Sequence, residues 1–229
     1  MNRATTLVLG VSLVLAASWF GLVLAPQRQL SGQGLVALTD TGQEYPPAPT
    51  GAARRGAAVY RANGCVHCHT QQVRPAGEGS DLARGWGRRR TVARDYLRDE
   101  PAWPGGVRLG PDLANLGARE TNTITLLLKL YDARIAAPGS IMPPFRWLFS
   151  ERPVRPEAAR SADVLPLPPA FAPPGDREVV PTPDALALVR YLQSRHAEAL
   201  FYEVFPPAGA KPATNGSAPG AVGNTPTTP

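Results

Sequence analysis

The chain is poor in cysteine, histidine, methionine and aromatic residues, and the scarcities exclude several classes of protein. Two cysteines in 229 residues cannot staple a disulfide-rich scaffold or fill a four-cysteine zinc site. Aromatics at 7% argue against a large self-sufficient aromatic core. Acidic residues are in the minority, 18 against 24 Lys and Arg. The imbalance is local, because between Arg54 and Arg98 ten arginines face only Glu78, Asp81 and Asp95. Such a patch suits anionic lipid or an acidic protein, or is a solvated face. No nucleic-acid-binding motif accompanies it, so nucleic acid is not an expected partner. What the chain has in excess is proline and glycine, 26 and 22, which puts much of it in loops and extended segments. Its length allows one modest domain with appendages. A small domain short of core can still fold around a large apolar cofactor.

One long uncharged apolar run, residues 4–25, is present. It is long enough to cross a hydrocarbon core, which takes about 20 helical residues. Trp19 and Phe20 lie toward its end, where interfacial aromatics are common. A cleaved signal peptide is the rival reading, but its apolar region is shorter, about 7–15 residues. The possible cleavage site Ala16-Ala17-Ser18 lies inside the run, and Pro26 follows it directly. An uncleaved anchor is therefore expected, with Arg3 in the cytoplasm and the rest of the chain outside. Residues 27–50 read as a polar tether. A helix is expected from Gly51, with Ala53, Gly56, Ala57 and Tyr60 on one face. Two more are expected, at 123–132 after Asn122 and at 183–199 after Thr182. The sequence shows no convincing strand pair. Residues 151–181 read as a Pro-rich irregular insertion, and 206–229 as a disordered tail.

Both cysteines fall in Cys65-Val66-His67-Cys68-His69, a C-x-x-C-H motif of the kind that attaches a c-type haem. Two thiols at this spacing can add to two vinyl groups on one porphyrin edge, and the next residue, His69, is then held beneath the iron. A redox dithiol would call for a βαβ context, and a zinc site for more ligands than His67 and His196 can add. Met142 is the only methionine outside the initiator, and Pro143 and Pro144 stiffen its loop. It is the candidate sixth ligand, and His/Met ligation suits a high-potential electron carrier. Six protein and porphyrin ligands leave no position for a substrate. Electron transfer is expected, with no catalytic centre in this chain.

The residues around the motif resemble a known family. Residues 63–75, with Thr70-Gln71-Gln72-Val73-Arg74-Pro75 after the haem motif, are similar to the monohaem subunit (subunit II) of cbb3-type cytochrome c oxidases. Arg84-Gly85-Trp86-Gly87, Arg108-Leu109-Gly110-Pro111-Asp112-Leu113, Leu130-Tyr131-Asp132-Ala133-Arg134 and Ser140-Ile141-Met142-Pro143-Pro144-Phe145 match further. Leu126 and Lys129 stand where family members often carry histidines. The Gly110-Pro111-Asp112-Leu113 loop also resembles a Gly-Pro-x-Leu loop of small c-type cytochromes, which implies that the Pro111 carbonyl accepts from His69. The resemblance implies a mainly α chain: an anchor helix at 1–26, the tether, and a cytochrome c-like domain at 51–205. It implies one covalent haem c, a haem domain on the periplasmic side of a bacterial inner membrane, and electron relay to a haem-copper catalytic subunit. A dihaem cytochrome c subunit or another cytochrome c would be the donor. Arg84, Arg88, Arg89 and Arg90 are expected near the partner or the haem propionates. The subunit of a nitric oxide reductase has the same plan, and a free-standing anchored shuttle or haem sensor is the other alternative.

Overall fold

The computed structural model describes residues 2–38, 40–154 and 163–204, and is mostly helical. Helix α1 (Arg3–Trp19) passes through a π turn, Phe20–Leu24, into α2 (Ala25–Ser31). The sequence suggested an end at Pro26, but the helix continues to Ser31. Pro26 has no N–H to donate, and its ring would press on the carbonyl one turn back. The π turn opens the helix just ahead of it, with the Ala25 N–H reaching the Phe20 carbonyl. At 1.5 Å per residue the continuous helix Arg3–Ser31 is roughly 40 Å long, more than the ~30 Å of a hydrocarbon core. Its leucines and valines, with Trp19 and Phe20, are exposed and uncovered by the rest of the chain.

The segment expected to be a tether is docked onto the domain. Strand β1 (Val36–Ala37) pairs antiparallel with β2 (Glu44–Tyr45). Tyr45 is buried, and its hydroxyl donates to Asp95 Oδ1 at 2.7 Å. The Asp95 carboxylate also takes Arg89 Nη2 at 2.7 Å and Nη1 at 2.9 Å. Arg94 donates to the Gly34 carbonyl and pairs with Glu203 at 2.5 Å. Composition marked residues 27–50 as polar linker. Their fixed position comes from partners about 50 residues away, which no local pattern announces.

The core lies where α3 (Gly51–Ala62) crosses α6 (Pro183–Gln193), with α5 (Thr123–Tyr131) packed on α6. Each of the three starts on a capping side chain: Thr50 accepts from the Ala53 N–H, Asn122 from Ile124 and Thr125, and Thr182 from Ala185. Tyr60, Leu127, Leu130, Leu188 and Val189 form the centre of the cluster. Gly56 permits the crossing, since a Cβ there would strike the Ala187 carbonyl. The one-turn helix α4 (Leu116–Arg119) also rests on α6. Helix α6 ends at Gln193, short of the expected 199. Beyond it the backbone is taken by tertiary partners: Gly117 N–H donates to the Arg195 carbonyl at 3.2 Å, and Arg89 Nε to the Ala199 carbonyl at 2.7 Å.

A second short pair departs from the sequence reading. Strand β3 (Phe149–Pro153) runs antiparallel to β4 (Arg177–Pro181), bracketing the Pro-rich insertion. Four of the five β3 residues are exposed and each strand ends in proline, so the alternation that signals a strand is missing. Backbone pairing and the Arg177–Glu151 ion pair at 3.2 Å hold the ribbon. The expected disordered tail, 206–229, and residues 155–162 of the insertion lie outside the described residues.

Candidate functional site

The C-x-x-C-H segment begins where α3 is forced to stop. Asn63 caps the helix, its side-chain amide donating to the Val59 carbonyl at 2.8 Å, and Gly64 turns the chain at φ 67°. That left-handed conformation favours glycine. The chain then enters a tight 3-10 turn, Cys65–His67, and the His69 N–H closes back on the Cys65 carbonyl at 2.9 Å. Cys65 and Cys68 therefore lie within one turn, both half-buried and both unpaired. Burial pushes the Cys65 thiol up to about 11, the reverse of the lowered value of a redox dithiol.

His69 is held from behind by the 108–113 loop. Its Nδ1 lies 2.8 Å from the Pro111 carbonyl, and the Gly110 N–H donates to the Cys68 carbonyl at 2.9 Å. A Cβ on Gly110 would fall within collision distance of His69 Cε1 and 2.8 Å from Nδ1, so only glycine admits the ring there. The Leu113 N–H completes the join, donating to the Thr70 carbonyl at 2.8 Å.

Two fully buried carboxylates stiffen this join, and the sequence reading singled out neither. Asp112 accepts from the Thr70 hydroxyl at 2.6 Å and the Gln72 N–H at 2.7 Å. Asp81 accepts from the Arg74 N–H at 2.8 Å and pairs with Arg108 at 2.5 Å. Arg108 also donates to the Thr70 hydroxyl at 2.8 Å. Burial works against the Asp81 charge, but the hydrogen bonds from Arg74 and Arg108 outweigh it and hold the carboxyl at about 2. Gln71, also buried, accepts from the Tyr191 hydroxyl at 3.0 Å, while its backbone carbonyl accepts from Tyr96. The polar string after the motif is thus the frame of the loop. Its signal in the sequence was Thr70-Gln71-Gln72 set against a later Asp112.

Met142 lies in the loop between Asp132 and Arg146, and this third buried carboxylate secures that loop. Asp132 pairs with Arg134 at 2.6 Å on one flank and Arg146 at 3.3 Å on the other. The Arg134 hydrogen bonds, helped by Arg146, hold its carboxyl well below the usual carboxylate range. Met142 is half-buried and packs with Cys65 and Val66 against the same apolar cluster. The structure thus brings Cys65 and Met142 to one core, and His69 to Pro111. The other histidines lie elsewhere: the His67 ring sits over Gly64, and His196 lies beside Gly117. Leu126 is buried in the core, and Lys129 pairs with Glu120 at 3.3 Å.

The arginine patch needs correcting. Arg89 is buried between Asp95, Tyr45 and the Ala199 carbonyl, so it cannot reach a partner or a propionate. Arg90 donates to the Glu203 carbonyl at 3.1 Å, and Arg84 stacks on Trp86. Arg89, Arg90, Arg94 and Arg98 instead tie Gly34, Glu44, Tyr45, Ala199 and Glu203 to the rest of the chain.

Compared with known families, residues 39–165 match the model for the mono-heme subunit of cytochrome c oxidase, FixO. That span is more than half of the chain. No curated protein matches it.

Proposed function

The chain belongs to the family of cytochrome c oxidase mono-heme subunits, and on that footing we propose that it holds its one haem through thioether bonds to Cys65 and Cys68. His69 and Met142 would hold its iron, and the chain would relay electrons to the haem-copper catalytic subunit of a cbb3-type oxidase. The observation that carries the reading is the contact between His69 and Pro111. With Nδ1 occupied at 2.8 Å, the ring is fixed and Nε2 is the nitrogen left for a metal.

The residues fit such a group. Both thiols are free and one turn apart. Leu109 and Ile141, next in sequence to Gly110 and Met142, are 62% and 76% exposed, an apolar surface suited to an apolar ring. When bound, a haem with His/Met ligation supplies one-electron chemistry at high potential. The chain's part is positional. Pro111 sets the His69 tautomer and Gly110 its rotation, Asp112 and Asp81 keep the two loops together, and Asp132 ties both flanks of the Met142 loop.

The docked segment 34–45 favours a fixed subunit over a swinging shuttle. The helix ends at Ser31 and the first clamp is at Gly34, a reach of roughly 10 Å of chain. In this reading Arg3 stays in the cytoplasm and the haem lies on the periplasmic side. A dihaem or other cytochrome c supplies the electrons.

The test is purification of the tagged chain from membranes and assay of oxygen consumption. The wild type should bring down the haem-copper subunit with activity. The Cys65→Ala/Cys68→Ala chain should yield a complex with no haem on this subunit and oxygen consumption below a tenth. Full turnover from a complex whose subunit lacks haem would overturn the relay.

A further inference from the structure

A cleft of about 450 Å³ opens between α3, the loop at 97–103 and the end of α6, and includes none of Cys65, Cys68, His69 and Met142. Its size lies within the ~300–1,000 Å³ range of small-molecule sites. Four guanidiniums line it: Arg54 and Arg61 seven residues apart on α3, Arg98 from the loop and Arg195 just past α6. The carboxylates in its wall are Asp99 and Glu100. Arg195 engages Asp99 at 3.0 Å, and Glu44 takes Arg98 at 3.0 Å from outside. Among the described residues the Arg54 guanidinium has no hydrogen bond or ion pair, and the Arg61 guanidinium reaches only the Glu100 carbonyl, at 3.4 Å.

An oxyanion suits the open guanidinium forks of Arg54 and Arg61, which match its oxygens in pairs, with the Arg98 and Arg195 charges close by. Donors arriving from three walls suit the several oxygens of a phosphate better than the two of a carboxylate. The rest of the wall is apolar, with Ala53, Ala57 and the partly exposed Trp103, and offers contact to an organic portion.

We propose that this cleft binds the phosphate of an organic phosphate, supplied by a phospholipid headgroup or by a soluble ester. Arg54 and Arg61 are the open pair, and Arg98 and Arg195 add positive charge to the wall. The site touches the frame of the C-x-x-C-H loop, because Trp103 precedes Pro104, whose carbonyl accepts the Gln71 N–H at 2.7 Å. A Cβ at Gly105 would lie 2.6 Å from the His69 carbonyl, so the 101–106 segment lies directly on that loop. A bound phosphate ties α3, this segment and α6 together and stabilises the fold by mass action. The inference needs no haem for its support.

The experiment uses the full haem-loaded chain in neutral detergent, titrated by calorimetry with glycerol 3-phosphate and with dihexanoyl phosphatidylglycerol. One equivalent should bind saturably, and the thermal midpoint should rise with ligand concentration. Arg54→Gln/Arg61→Gln should weaken binding at least tenfold with its visible spectrum and ligand-free midpoint unchanged. Equal affinity for the two probes identifies the soluble phosphate as sufficient, whereas a tenfold preference for the lipid identifies the headgroup. Absence of saturable binding by both probes, or equal binding by wild type and the double variant, would overturn the proposal.

Discussion

Gly110→Ala is the sharpest perturbation the structure offers. The added Cβ would overlap His69 Cε1 and sit 2.8 Å from Nδ1 and 2.9 Å from Nε2. The ring cannot swing away without leaving the Pro111 carbonyl, and the Gly110 backbone cannot retreat without breaking its hydrogen bond to the Cys68 carbonyl. Overpacking of a tight site costs about 1–3 kcal/mol. A lost neutral hydrogen bond adds about 0.5–1.5 kcal/mol. The sum, about 1.5–4.5 kcal/mol, corresponds to a fall in thermal midpoint on the order of 10 °C for a domain of this size. Because the clash falls on the His69 ring, the visible spectrum and reduction potential of the haem-loaded protein should shift as well. Gly106→Ala is the control, since nothing lies within 4 Å of a Cβ there. The assay is thermal unfolding followed by far-UV circular dichroism and visible absorbance together. Should Gly110→Ala match Gly106→Ala within a degree with an unchanged spectrum, the claim that this loop clamps His69 is wrong.

Arg89→Met leaves Asp95 buried without its main counter-charge, which should cost about 3–5 kcal/mol, and limited proteolysis should then cut within residues 34–45. The Asp81 carboxyl is lowered to about 2, so its contribution is present above its unfolded value near 4 and is lost as pH falls toward 2. Asp81→Asn should therefore cost about 2 kcal/mol at pH 7 and flatten the acid limb of a stability–pH profile between pH 4 and 2. Met142→His should lower the reduction potential, measured by redox titration, since thioether ligation favours ferrous iron. An unchanged potential would remove Met142 from the iron.

What could be read from the sequence follows from what is local. The caps Asn122 and Thr182 and the apolar spacing of α3, α5 and α6 marked those helices, because capping and periodicity act within a few residues. Cys65, Cys68 and His69 stood out for the same reason. The clamp of Tyr45 on Asp95 and Arg89 did not, since a lone tyrosine in a polar stretch carries no sign of a partner 50 residues on. The roles of Asp81 and Asp132 were equally silent, because a buried carboxylate is written like a solvated one and only its arginine partners distinguish it. The ribbon of β3 and β4 was hidden by the exposure of β3 and by the prolines that end both strands. The excess of arginine was visible, but its use was misjudged: Arg89 and Arg94 hold the chain to itself.

The central claim is that Cys65 and Cys68 carry a haem on this chain, and mass spectrometry of the purified protein tests it most directly. The tryptic fragment Ala62 to Arg84 should carry the added mass of one haem, and the corresponding fragment of the Cys65→Ala/Cys68→Ala chain should not. A fragment at its bare mass, or at the mass of a Cys65–Cys68 disulfide, would contradict the account.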